Sequence, residues 1–177
     1  MSEQLAGDFS ALIDSLAKQG GVPESEALAN VSKSLAKLFG VDPDEVAILS
    51  LNTKSKNLRF VIPEKLAAVG SIPLSSATAL AARTARERRP ELVNTFSSAR
   101  HATVFEGVPL GRDPNELIQK IMSAPILDGT VVRGVVQISK KGRTATDAGM
   151  DFAQRDLIAL TQLSPALGRF LKLCQSA

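Results

Sequence analysis

The chain has 177 residues, 44% hydrophobic and 22% charged, with a formal net charge of +3. That length suits one domain, or one domain with a helical arm, and buries enough surface to need no disulfide or metal staple. One cysteine (Cys174), one histidine (His101) and no tryptophan or tyrosine exclude a disulfide framework, cysteine-rich zinc sites and two-histidine metal sites, and argue against an enzyme.

Residues 4–18 place Leu5, Phe9, Leu12, Ile13 and Leu16 at three- and four-residue steps, which predicts an amphipathic helix stopped by Gly20-Gly21. Pro23 opens a second helix with Glu24 and Glu26 in its first turn, a stripe at Leu28, Val31, Leu35 and Leu38-Phe39, and a stop at Gly40. After a turn at 42–44 the period changes. Val46–Leu51 reads as a buried strand, and Leu58, Phe60 and Ile62 alternate along a second, giving an antiparallel hairpin. Ser75-Ser76 can cap a helix over 77–88 that Pro90 ends. A short strand is expected over 91–96, then an irregular polar stretch over 97–116.

Two stronger strands, 119–127 and 131–140, are joined by Asp128-Gly129, the strongest hairpin signal in the chain. The last expected element is one helix over 152–174, capped by Asp151 with Gln154 three residues on and kinked by Pro165. Hairpin-joined strands with helices on the sheet faces mean an α/β or α+β sandwich. No internal repeat interrupts this order.

Charge is uneven. Residues 1–50 hold eight acidic and three basic side chains, 51–143 hold fifteen basic and seven acidic, and the remainder balances. A basic middle could meet phosphate-bearing ligands or an acidic partner, or simply be a solvated face. Nucleic-acid binding is disfavoured, because few aromatic residues are available for base stacking. No stretch approaches the ~18 apolar residues of a membrane span. Met1–Gln4 has neither the basic start nor the apolar core of a signal peptide, so a cytoplasmic protein is expected.

Four segments carry a resemblance. Gln119–Gly129 (QKIMSAPILDG) resembles the "S-hydrophobic-S-x-P-L-x-D-G" strand and hairpin of the GAF domain family, and Val131–Lys140 (VVRGVVQISK) its partner strand. Gly149-Met150-Asp151-Phe152 leading to Asp156-Leu157 is similar to the family's "F-T-x-x-D-L" helix entry. Ile72-Pro73-Leu74, the helix after it and Pro90–Asn94 resemble its helix and "P-hydrophobic-V-N-D" strand. The resemblance spans roughly residues 24–174 and implies a GAF-like, PAS-like fold: a central antiparallel sheet, N- and C-terminal helices on one face, and a helix-loop lid on the other. It divides the chain into a dimerisation arm over 1–22 and a GAF-like domain over 23–177.

The resemblance implies a ligand between the sheet and a lid running from Leu74 to Arg112. Candidate ligand-binding residues are Ser75, Ser76, Asn94, Arg100, His101, Phe105 and Met122. The serines lie at a helix N-terminus that favours an anion, or merely cap it. Phe105 is a pocket wall or ordinary loop packing, and His101 a switch or a plain surface histidine. The cyclic-nucleotide "N-K…F…D-E" signature is missing. Cys174, on the last helix, is misplaced for a covalent bilin, and one cysteine cannot run the family's free methionine-sulfoxide reductase chemistry. Haem through His101 is disfavoured, and the cofactor stays unknown.

The expected function is a non-catalytic sensory or regulatory module that binds a small ligand and signals through a homodimer of its first, second and last helices. The last helix motivates the dimer, since Leu157, Leu160, Leu163, Leu167 and Phe170, widened by Ile158 and Leu171, form a broad apolar face. The alternative is a ligand-free interaction scaffold whose pocket Met122, Leu80 and Phe105 fill. Either way, output is expected to pass through a partner protein.

Overall fold

The computed structural model describes residues 3–101 and 104–175. Helix α1 (Glu3–Gln19) buries Phe9, Ile13 and Leu16, one face at helical spacing. Helix α2 (Ser25–Phe39) buries Val31, Leu35 and Leu38. It begins two residues after Pro23, and Gly40 closes it in the left-handed conformation at φ 65°, donating its N–H to the Ala36 carbonyl. The following turn is a 3-10 turn over Pro43–Glu45, held where the Asp42 N–H donates to Glu45 Oε1 at 2.9 Å.

Strands β1 (Val46–Asn52) and β2 (Asn57–Ile62) form the expected hairpin. Asn52 Oδ1 shapes its loop by accepting the N–H groups of Lys54 and Ser55. Next come α3 (Glu64–Ala67), β3 (Ser71–Pro73), α4 (Leu80–Glu87), β4 (Glu91–Val93), β5 (Leu117–Asp128) and β6 (Val131–Gly142). The sheet order is β3-β2-β1-β6-β5-β4, with every neighbouring pair antiparallel. Gly129, at φ 63°, turns β5 into β6.

Several boundaries differ from expectation, each for a local reason. Helix α4 starts at Leu80 rather than Ala77, because Ser76 Oγ accepts the Ala79 N–H at 3.1 Å and holds that stretch as a turn. Strand β4 stops at Val93, and the chain passes into a 3-10 turn at Phe96–Ser98. The last helix is two helices, α5 (Gln154–Gln162) and α6 (Ser164–Gln175). Pro165 lies in the first turn of α6, where a missing N–H costs nothing, so it separates two helices instead of kinking one. Ala153, not Asp151, caps α5, with its N–H donating to the Asp156 carboxylate at 2.7 Å. Asp151 pairs instead with Lys120 at 2.8 Å.

Strand alternation divides the apolar side chains between two cores. On one face Val46, Ile48, Met122, Val136 and Ile138 meet Phe9, Leu35, Leu167 and Phe170 of the N- and C-terminal helices. On the other, Leu49, Phe60, Ile72 and Val135 meet Leu66 of α3 and Ala81, Ala82 and Ala85 of α4. The fold is the mixed α/β arrangement expected: a six-stranded antiparallel sheet with terminal helices on one face and a helix-loop lid on the other. The broad face of the last helix is largely consumed inside the chain. Leu157, Leu160, Leu163, Leu167, Phe170 and Leu171 are buried there, while Ile158 is exposed.

Candidate ligand-binding site

A cavity of about 240 Å³ lies between the sheet and the lid. Ala47 of β1 and Gln137, Ser139 and Lys141 of β6 form one wall; Phe60, Leu66, Ile72 and Leu80 line its sides; Phe96, His101, Phe105 and Glu106 come from the lid loop. Alternation along β6 explains the polar wall. Val136 and Ile138 point to the helices, so Gln137, Ser139 and Lys141 point to the lid.

Most of these polar groups hold the cavity together. Gln137 Nε2 donates to Ser123 Oγ at 3.1 Å, and Ser123 lies 2.7 Å from Thr84 Oγ1, which donates to the Leu80 carbonyl at 2.9 Å. This chain fastens α4 to the sheet. Lys141 Nζ donates to the Asp44 carbonyl at 3.0 Å, and burial lowers the pKa of its ammonium below the usual lysine value. Its backbone N–H donates to Glu45 Oε2. Behind them, Arg112 grips Asp44 through two nitrogens, at 2.8 and 3.1 Å, and also reaches Asp42 and Glu116. The hydrogen bonds to Asp44 outweigh burial and raise its guanidinium pKa above the usual value.

His101 stacks on Phe96 with ring centroids 4.1 Å apart. Its Nδ1 lies 2.9 Å from the Ala99 carbonyl and its Nε2 lies 2.6 Å from Glu106 Oε1. Both ring nitrogens are thus engaged by oxygen atoms. Neither nitrogen presents a free lone pair to a haem iron. The residues therefore do not fit that cofactor.

Of the candidate residues, the fold brings Ser76, His101 and Phe105 to the cavity. Ser75 and Arg100 are exposed outside it. Met122 is fully buried on the opposite, helix face of the sheet, because its place in the β5 alternation points it there. Of the proposed fillers, Leu80 and Phe105 line the cavity and Met122 does not. Asn94 serves as a clasp: its Nδ2 donates to the Phe152 carbonyl at 3.0 Å and its Oδ1 accepts the Phe152 N–H at 2.9 Å. This joins the lid edge to the start of α5. Asn94→Ala, which leaves both backbone groups without the side chain, is expected to cost about 1–2 kcal/mol in urea unfolding.

Sequence reading missed Glu106, Gln137, Ser139 and Lys141. The last three carried a signal, as polar residues alternating through an apolar strand. Glu106 carried none, since its role depends on how the loop folds back. Cys174 lies on α6, half-buried, with burial pushing its thiol pKa up to about 11. About a thousandth of it is thiolate at pH 8, so labelling by a thiol reagent there is expected to be far slower than for a free cysteine.

No protein-family model and no curated protein matches the sequence. Solved structures do. The chain superposes over its whole length on 98% of the GAF domain of an Acinetobacter phosphoenolpyruvate-protein phosphotransferase, at 17% identity and a TM-score of 0.66. It covers 96% of the GAF domain of the Coxiella burnetii phosphoenolpyruvate-protein phosphotransferase with 97% of its own length, at 12% identity and TM-score 0.62. It also matches, over its full length and 96% of the other chain, the free methionine-R-sulfoxide reductase of Neisseria meningitidis solved with its substrate, at 16% identity and TM-score 0.61. Likeness at these identities speaks to architecture, and with the sheet order, the terminal helices and the lid it gives one conclusion: this chain has the GAF-domain fold.

Proposed function

We propose that the protein is a non-catalytic sensory or regulatory module that holds a small ligand between lid and sheet. The cavity carries this reading: with Leu80 and Phe105 in its lining it still encloses about 240 Å³, just below the ~300 Å³ at which small-molecule pockets begin. The GAF domains among its structural neighbours favour a regulatory role. The reductase neighbour shows that the fold can host an enzyme, but here the single cysteine lies on α6, outside the cavity lining, with its thiol held protonated.

In this reading two copies associate in the cytoplasm through α1, α2 and the last helical stretch, α5 with α6, and output passes to a partner protein. The 1–22 segment acts as the dimerisation arm, with the GAF-like domain over 23–177. The Asn94 clasp supplies a mechanical route, because a ligand that moves the lid pulls on the start of α5. A thermal-shift screen of nucleotides, amino acids and keto acids tests the ligand claim. A hit at a hundred times its Kd adds about 2.7 kcal/mol of stability, a rise of about 5–11 °C. Flat melting curves across every class would favour the scaffold.

A further inference from the structure

We infer that the cavity takes a small molecule with a protonated amine on an apolar body, and that Glu106 receives the amine. This assignment rests on the cavity reading above. Glu106 Oε1 is fixed by His101 at 2.6 Å, while Oε2 is buried with no hydrogen-bond partner among the described residues. A buried carboxylate oxygen without a donor is expensive, and because Glu106 lines the cavity, a turn of its side chain would bring that oxygen to a donor held there.

The charge on the wall selects the kind of donor. Asp44, Glu45 and Glu106 line the cavity with Lys141 and His101, and Arg112 behind the wall already holds Asp44 and lies 3.7 Å from Glu45. Lys141 is committed to the Asp44 carbonyl, with the Asp44 carboxylate 3.8 Å from its ammonium. His101 is committed to Ala99 and Glu106. An anionic ligand would find every nearby cation already committed, whereas an ammonium supplies the hydrogen bond that Glu106 Oε2 lacks. Phe60 and Phe105, with ring centroids 4.7 Å apart, and Leu66 and Ile72 offer apolar surface for the rest of the molecule.

Calorimetric titration of the full chain with hexylamine, hexanol and hexanoate at pH 7 tests this, since the three probes share a tail and differ in the head. Hexylamine is expected to bind at least about tenfold more tightly than hexanol, and hexanoate most weakly. In Glu106→Gln, of nearly the same shape, the amine is expected to lose about tenfold and the alcohol to be unchanged. Should that variant misfold, the ranking of the three probes on the unaltered chain still decides. Hexanol or hexanoate binding as tightly as the amine, or an amine affinity indifferent to Glu106→Gln, overturns the amine assignment and leaves the cavity reading standing. If none of the three binds, the amine assignment falls, and the cavity reading is decided by the wider thermal-shift screen.

Discussion

Gly134→Ala is expected to cost at least about 3 kcal/mol, a large share of a domain's stability, and to lower the melting temperature by roughly 6–12 °C. Gly134 lies mid-strand in β6, opposite Ser50 of β1 and Ile126 of β5. A Cβ there would come within 2.1 Å of the Leu49 carbonyl oxygen and 2.7 Å of Leu171 Cδ1. The first contact is backbone in the neighbouring strand, so relief requires parting β1 from β6. The second is the α6 side chain covering that spot, so α6 would lift as well. Gly7, inside α1 with no atom within 4 Å of its would-be Cβ, is the internal control. There the same substitution is expected to stabilise by about 0.5–1 kcal/mol through helix propensity alone. Denaturant curves for both variants, agreeing in slope and differing in midpoint, would check the pair.

Arg112→Ala is expected to cost about 3 kcal/mol, the scale of stripping one partner from a partly buried ionic cluster. The guanidinium bonds Asp42, Asp44 and Glu116 and lies 3.7 Å from Glu45. Without it, the carboxylates of Asp42, Asp44, Glu45 and Glu116 lose their shared cation, with Lys141 3.8 Å from Asp44. The side chain is one-fifth exposed, which keeps the cost below that of a fully buried pair. Arg112→Lys is expected to recover only part of the loss, because a single ammonium cannot match the two-pronged grip on Asp44. Urea unfolding of the three proteins gives the order: arginine above lysine above alanine.

The sequence was most legible where one rule acted alone. Phe9, Ile13 and Leu16 announce α1 by spacing, Gly40 announces the end of α2, and Asp128-Gly129 announces the central hairpin. The sheet's two-faced construction followed from alternation and from the family resemblance. Where two rules competed, the reading slipped. Pro165 belongs equally to a kink and to a helix start, and only the docking of Ser164, whose Oγ accepts the Leu127 N–H at 2.8 Å, fixes the break between α5 and α6. Ser76 looked like the cap of a helix, yet its hydroxyl holds the preceding turn instead.

The site was less legible than the fold because it is assembled from contacts distant in sequence. Arg112 is 68 residues from Asp44 and Asn94 is 58 from Phe152, and no periodicity encodes such pairs. Met122 shows the reverse error. Its type suits a pocket filler, but its parity in β5 assigns it to the helix core. In the sequence His101 is a single ring without visible partners, whereas the loop gives it two oxygen partners and an aromatic stack.

That the open space under the lid is a binding site is tested most directly by backbone amide NMR of the full chain, recorded while mixtures of small metabolites are titrated in. Binding is expected to shift the amides of Ala47, Phe105, Glu106, Ser139 and Lys141 together, with α1 and α2 little changed. Shifts confined to the helices, or no saturable shift for any mixture, would contradict it.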